Sequence, residues 1–174
     1  MKNVQQNCNE NRINLLVCDV DGVLTDGGMY YDENGNEWKK FNTKDGKGIE
    51  LLRLTGVKVM FLTSENTSIV QRRADKLNID FCFMGIKNKK EKLNEFFKKK
   101  PEFSFKQTAY IGDDVNDIEV LNLVAFSAVP NDAVKDNLLI AKYICEKSGG
   151  QGCVREVCDF LIKCHKNHII SYRL

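Results

Sequence analysis

The chain has 174 residues, 43% of them hydrophobic and 29% charged, with a formal net charge of +2. Those proportions suit one globular domain with a sizeable core, and the interspersed charge gives no case for a nucleic-acid partner. No apolar run reaches membrane-spanning length, the polar Asn-rich start is no signal peptide, and seven cysteines without a Cys-x-x-Cys pair favour reduced thiols in a cytoplasmic protein over a disulfide framework or a zinc site.

Residues 1–12 are polar and expected to be poorly ordered, a single domain is expected over 13–165, and a tail over 166–174. Ile13 to Cys18 is apolar throughout, as in the middle of a parallel sheet, and ends in Asp19-Val20-Asp21-Gly22-Val23-Leu24-Thr25-Asp26. Two strand-like runs around an Asn34-Gly35 turn predict a β-hairpin over about 28–41. Asp45 to Thr55 has a helix-compatible pattern closed by Gly56. A second buried strand, Val57 to Leu62, ends in Thr63-Ser64-Glu65-Asn66, and an amphipathic helix spans Thr67 to Leu77.

Phe81 to Met84 reads as a short strand, and the helix Asn88 to Lys99 stops before Pro101. The strand Thr108 to Ile111 runs into Gly112-Asp113-Asp114-Val115-Asn116-Asp117, with a short helix through Leu121 and a strand over Val124 to Val129. Asn131-Asp132 can cap a helix to about Ile140, and Tyr143-Ile144 forms a last short strand. Gly149-Gly150-Gln151-Gly152 reads as a flexible link into a helix over Cys153 to His165. The alternation predicts an α/β fold: a Rossmann-like, mainly parallel sheet with helices on both faces, plus a hairpin flap.

Three polar clusters follow buried strands: Asp19/Asp21, Thr63/Ser64 and Asp113/Asp114. In open α/β sheets, ligands bind outside the carboxyl ends of strands, so topology alone brings the three together. Asp19 and Asp21 point to one side of an extended chain and repel unless a proton or cation intervenes. That is costly as structure and useful as chemistry: Asp19 as nucleophile on phosphorus, Asp21 as general acid and then base. The blander readings make Asp113 or Asp114 a helix N-cap and Thr63 an ordinary strand-end residue, and composition cannot single out Lys89 from its lysine neighbours.

Asp19 to Asp26 resembles the first motif of the haloacid-dehalogenase superfamily, in its phosphatase branch, and Gly112 to Asp117 its final acidic motif. The resemblance implies Mg²⁺ held by Asp19, Asp113 and the backbone carbonyl of Asp21, with Asp114 or Asp117 acting directly or through water. Thr63-Ser64 is similar to the second motif, where a hydroxyl and a backbone N–H hold phosphate oxygens. The spacing Gly85-Ile86-Lys87-Asn88-Lys89 matches Lys89 to the third-motif cation. No cap domain fits between these motifs. The chain from about Ile13 to Leu161 thus resembles the small uncapped tetrameric phosphatases of keto-sugar acid phosphates, through Phe41 to Ile49, Ala109 to Asp114 and Gly149 to Glu156. That branch implies a homotetramer in which hairpins assemble centrally and each neighbour helps to roof a site.

Thr63-Ser64-Glu65 departs from the Thr-Gly-Arg typical of 3-deoxy-D-manno-octulosonate 8-phosphate phosphatases. Glu65 together with Lys76 is similar to the 2-keto-3-deoxynononate 9-phosphate phosphatases, which implies a Glu65–Lys76 pair at the pocket mouth and favours the nine-carbon substrate. The octulosonate 8-phosphate and N-acylneuraminate 9-phosphate are the alternatives, and the bland reading leaves both residues solvated. Thr43 and Arg155 complete the specificity set. Arg155 reads equally as a partner for a substrate carboxylate or a neighbouring subunit, or as half of a structural ion pair. His165 and His168 read as solvated, Cys18 as a small buried hydrophobe, and 167–174 as a tail that docks on a neighbour or is disordered. A non-catalytic oligomeric regulatory module is the rival of another class, against which the cost of an intact carboxylate set speaks.

Overall fold

The computed structural model describes residues 12–171, with side chains through 165, and the expected disorder of the N-terminal residues falls outside that span except at residue 12. Six parallel strands form one sheet: β1 (Leu15–Cys18), β4 (Lys58–Leu62), β5 (Phe81–Phe83), β6 (Thr108–Ile111), β7 (Phe126–Val129) and β8 (Tyr143–Ile144). Their spatial order is β5-β4-β1-β6-β7-β8. The chain winds outward from β1 through β4 to β5, then crosses back to β6 and winds the other way. The switch of direction lies between β1 and β6, where Cys18 pairs with Ile111. That is where a crevice opens at the carboxyl edge of such a sheet.

Alternation along β1 explains the two-faced core. Leu16 and Cys18 join one cluster with Ile49 and Leu52 of α1 (Thr43–Arg53) and with Val154, Val157 and Leu161 of α6 (Cys153–Ser171). Val70 and Ala74 of α2 (Ser68–Lys76) lie on that side too. Leu15 and Val17 face the other cluster, with Leu93 and Phe96 of α3 (Lys89–Lys99) and Val120 and Leu121 of α4 (Ile118–Leu121). A sixth helix, α5 (Lys135–Ile140), precedes β8. The hairpin strands β2 (Tyr30–Tyr31) and β3 (Glu37–Trp38) form a separate two-stranded sheet, tied to the body by the bridge between Thr25 and Phe41. No cap domain stands among the described residues, and no described helix is long and apolar enough to cross a membrane.

Four local expectations are corrected. Asn131 and Asp132 do not cap α5, which starts at Lys135 without a side-chain cap; they instead accept from Ser148 Oγ (2.7 Å) and Gly149 N (3.0 Å). Gly149-Gly150 is therefore no flexible link. Both glycines are buried, and a Cβ on Gly149 would lie 2.0 Å from the Gly22 carbonyl oxygen. The helix expected to end at His165 continues to Ser171, so part of the proposed tail has helical backbone. His165 is buried rather than solvated, with Nε2 2.8 Å from the Ile13 carbonyl oxygen; the His168 side chain lies outside the described residues. Cys18 is fully buried as expected.

Candidate active site

The loop leaving β1 is built around Thr25. Its hydroxyl accepts from the N–H groups of Gly22 and Gly27, both at 3.3 Å, and the N–H groups of Leu24 and Thr25 donate to the Val20 carbonyl. Gly22 has φ +78°, and the Asp113 carboxylate lies over its Cα where any Cβ would collide with it. This close approach, from the turn after β1 to the turn after β6, brings Asp19 and Asp113 together. With Asp21, Thr63, Ser64, Glu65, Asp114 and Asn116 they line a pocket of about 270 Å³ at the carboxyl edge of the sheet.

Asp19 is buried, with Oδ1 accepting from Val20 N at 2.7 Å and Oδ2 2.6 Å from Lys89 Nζ. Lys89, the first residue of α3, is 1% exposed; its Nζ also lies 2.6 Å from Asp117 Oδ1. Burial disfavours the Lys89 ammonium, but Asp19 and Asp117 on either side prevail and raise its pKa. Burial, and then the Asp117 charge, raise the Asp19 pKa against the pull of Lys89. Burial, and then Asp19 and Asp117, push Asp113 up to about 8. A site of three crowded carboxylates and one lysine is short of positive charge.

Asp19, Asp113 and Asp117 can bring carboxylate oxygens within 4.8 Å of one another, the spacing of a hard-cation site. Asp117 is nevertheless spoken for. Its Oδ1 accepts from Lys89 and from the Tyr110 hydroxyl, and its Oδ2 accepts from the N–H groups of Asp113 (3.0 Å) and Asp114 (3.2 Å). Asp113 Oδ1, in contrast, is buried with no hydrogen-bond partner. An all-oxygen donor set with one orphaned buried acceptor fits a divalent cation held by Asp19 and Asp113.

The N-cap reading holds for Asp114, whose Oδ1 accepts from Val115 N and which forms a reciprocal capping box with Asp117. Thr63 is buried at the end of β4, its Oγ1 accepting from Glu65 N at 3.1 Å. Ser64 Oγ donates to the Ile86 carbonyl and accepts from Asn116 Nδ2 at 3.2 Å, so it bridges the turns after β4 and β6. Glu65 lines the pocket, but Lys76 does not meet it. Lys76 closes α2, a helix of nine residues or about 13 Å, and no ion pair joins the two among the described residues. Arg155 also lies elsewhere. Its Nε pairs with Asp159 at 2.8 Å in a groove with Lys44 and Glu156, the structural ion pair among the readings weighed. Thr43 is exposed at the start of α1 and does not line the pocket.

Sequence reasoning missed Lys39, Tyr110 and Asn116. Lys39 Nζ, on a side chain 2% exposed, lies 2.6 Å from Asp21 Oδ1. Its signal was available in the hairpin alternation, which turns 37, 39 and 41 to one side and Trp38 and Lys40 to the other. Tyr110 read as an ordinary strand residue, and nothing in its sequence context announced a partner for its hydroxyl.

No protein-family model matches the chain. It is 38% identical over 153 residues to the 3-deoxy-D-manno-octulosonate 8-phosphate phosphatase KdsC of Yersinia pestis, covering 86% of this chain and 80% of the relative. The solved Yersinia pestis phosphatase of that name superposes with a TM-score of 0.88 at 35% identity, over 95% of this chain and 88% of the other. The 3-deoxy-D-manno-octulosonate 8-phosphate phosphatase of Moraxella catarrhalis, solved with a magnesium ion, a phosphate ion and KDO, gives 0.90 at 31% identity, over 99% and 98%.

Proposed function

The chain belongs to the 3-deoxy-D-manno-octulosonate 8-phosphate phosphatase branch of the haloacid-dehalogenase superfamily and is a phosphoric monoester hydrolase, and from that premise we propose that it is a Mg²⁺-dependent phosphatase of a keto-sugar acid phosphate. The observation that carries the proposal is the meeting of Asp19, the half-free carboxylate of Asp21 and the orphaned Asp113 Oδ1 around one pocket. In this reading the Asp19 carboxylate attacks phosphorus and the bond to the sugar oxygen breaks, leaving an aspartyl-phosphate. Asp21 protonates that leaving oxygen, then removes a proton from the water that releases phosphate. Lys89 holds Asp19 in place and offsets charge, while Thr63 and the Ser64 backbone receive phosphoryl oxygens. Asp19, Asp113 and the Asp21 carbonyl would hold Mg²⁺, which supplies positive charge to the phosphoryl oxygens.

Because Glu65 and Lys76 form no ion pair, the preference for a nine-carbon substrate keeps only part of its support, and the relatives' 3-deoxy-D-manno-octulosonate 8-phosphate becomes the favoured substrate. A specific observation keeps 2-keto-3-deoxynononate 9-phosphate as second reading: a glutamate, not an arginine, lines the pocket after Thr63-Ser64. Comparing kcat/KM for the two compounds decides the matter. A preference for the eight-carbon phosphate supports the assignment, and a preference for the nine-carbon one overturns it. The homotetramer is part of the proposal, supported by the exposed hairpin residues Met29, Tyr30, Tyr31 and Trp38 and by the open site that a neighbour could roof.

A further inference from the structure

We infer that Lys39 of the hairpin is a positioning residue for the leaving-group proton transfer, fixing the orientation of the Asp21 carboxylate at the pocket. This rests on the phosphatase reading above and goes beyond it, since no part of that reading uses the hairpin for chemistry.

The Asp21 side chain is about one-third exposed, and its two oxygens have different surroundings. Oδ1 accepts from Lys39 Nζ at 2.6 Å and more weakly from the Thr25 hydroxyl at 3.5 Å. Oδ2 has no hydrogen-bond partner and is itself buried. A carboxylate on a short side chain turns freely about its last torsion unless one oxygen is pinned. A charge-assisted bond at 2.6 Å pins it. The carboxylate of a residue that lines the pocket is thereby held in one orientation.

Lys39 is itself held. Extended backbone after β3 turns its side chain inward, where it is 2% exposed, while the neighbouring Lys40 is 58% exposed and lies 3.4 Å from Asp26. Glu37, on the same side of the hairpin, stands 3.4 Å from Lys39 Nζ as a second counter-charge. The hairpin is then anchored beside the site by the Tyr30 hydroxyl donating to Asp26 Oδ2 at 2.6 Å. A two-stranded sheet has little stability of its own, so the hairpin's seat on the body and the orientation of Asp21 are coupled through this one amine.

The test uses two substrates that differ in their need for a proton. Expulsion of the sugar alkoxide of 3-deoxy-D-manno-octulosonate 8-phosphate needs protonation, whereas the aryl oxide of p-nitrophenyl phosphate leaves without it. In Lys39→Met, kcat/KM for the sugar phosphate is expected to fall about 100-fold and for p-nitrophenyl phosphate less than about 5-fold. Lys39→Arg should recover all but about 10-fold of the loss. In an Asp21→Asn background, Lys39→Met should cost less than about 3-fold more, because the two residues act as one unit. Equal losses on both substrates, or an undiminished loss in the Asp21→Asn background, overturn the inference. Should Lys39→Met lower Tm or change the far-UV circular dichroism, Lys39→Gln takes its place with the same expectations. Wild-type protein that releases phosphate from neither substrate overturns the phosphatase reading and this inference with it, an outcome distinct from an active wild type with indifferent Lys39 variants.

Discussion

Lys89 Nζ and Asp117 Oδ1 lie 2.6 Å apart with both side chains wholly enclosed. Asp117 accepts from four donors, so it acts as the anchor under the site: it fixes Lys89 beneath Asp19 and the turn that carries Asp113. Asp117→Asn removes the counter-charge of a buried lysine and turns an amide against it or against the two backbone donors. A loss on the order of 3 kcal/mol is expected, or roughly 10 °C in Tm, together with most of the turnover. Thermal unfolding and phosphate release measured on one preparation check both. An unchanged Tm would mean that Asp117 is no anchor.

The glycine segment before α6 braces the catalytic loop. The Gly150 N–H donates to the Val23 carbonyl at 2.9 Å, and Gly149 packs on the Gly22 carbonyl. Gly149→Ala should therefore cost on the order of 3 kcal/mol and depress kcat, because the added methyl displaces the loop bearing Asp19 and Asp21. Gly56→Ala is the contrast: nothing lies within 4 Å of its added Cβ, but φ is +91°, so a cost of about 1 kcal/mol with activity unchanged is expected. Denaturant unfolding of both variants distinguishes steric from conformational cost.

Asp45 provides a pH signature remote from the pocket. It is fully buried in α1, its Oδ1 accepts from Arg155 N at 2.7 Å, and its Oδ2 has no partner. Burial pushes its carboxyl up to about 6, against the bond from Arg155 and the charge of Arg73. A carboxyl whose pKa is higher folded than unfolded holds more protons in the folded state over that interval. Its contribution is present in full below about pH 4 and is lost as pH rises through 6. Asp45→Asn cannot titrate, so the difference in unfolding free energy between variant and wild type should grow in the variant's favour from pH 4 to 7, by on the order of 2 kcal/mol. A constant difference across that range would contradict the assignment.

The hairpin turns Met29, Tyr31 and Trp38 outward, each about half exposed or more. Such a patch on an otherwise well-packed chain suits self-association. Wild-type protein is expected to sediment as four chains, and Tyr31→Lys with Trp38→Lys to shift it to smaller species. Equal sedimentation of the two proteins would separate the hairpin from assembly.

Much of this was legible in the sequence, for a physical reason. Strand ends bearing paired acids and a glycine are local patterns, and the sheet's topology does the rest, so Asp19, Asp21, Thr63 and Asp113 could be gathered from spacing alone. The Gly149-Gly150 segment was misread because glycines that permit close approach look the same in sequence as glycines that permit motion. The separation of Glu65 from Lys76 depends on the direction of α2, which carries its last residue away from the edge where Glu65 stands. Lys39 lies 18 residues from Asp21, and only the fold of the hairpin onto the body joins them.

The central claim is that Asp19 is the nucleophile of a Mg²⁺-dependent phosphatase. Its most direct test is phosphate release from 3-deoxy-D-manno-octulosonate 8-phosphate by wild type and Asp19→Asn, titrated with Mg²⁺ and then chelated. Wild type should turn over only with the metal, and Asp19→Asn should be slower by on the order of 10⁴-fold or more with Tm preserved. Turnover by Asp19→Asn near the wild-type rate, or by wild type after chelation, would contradict the account.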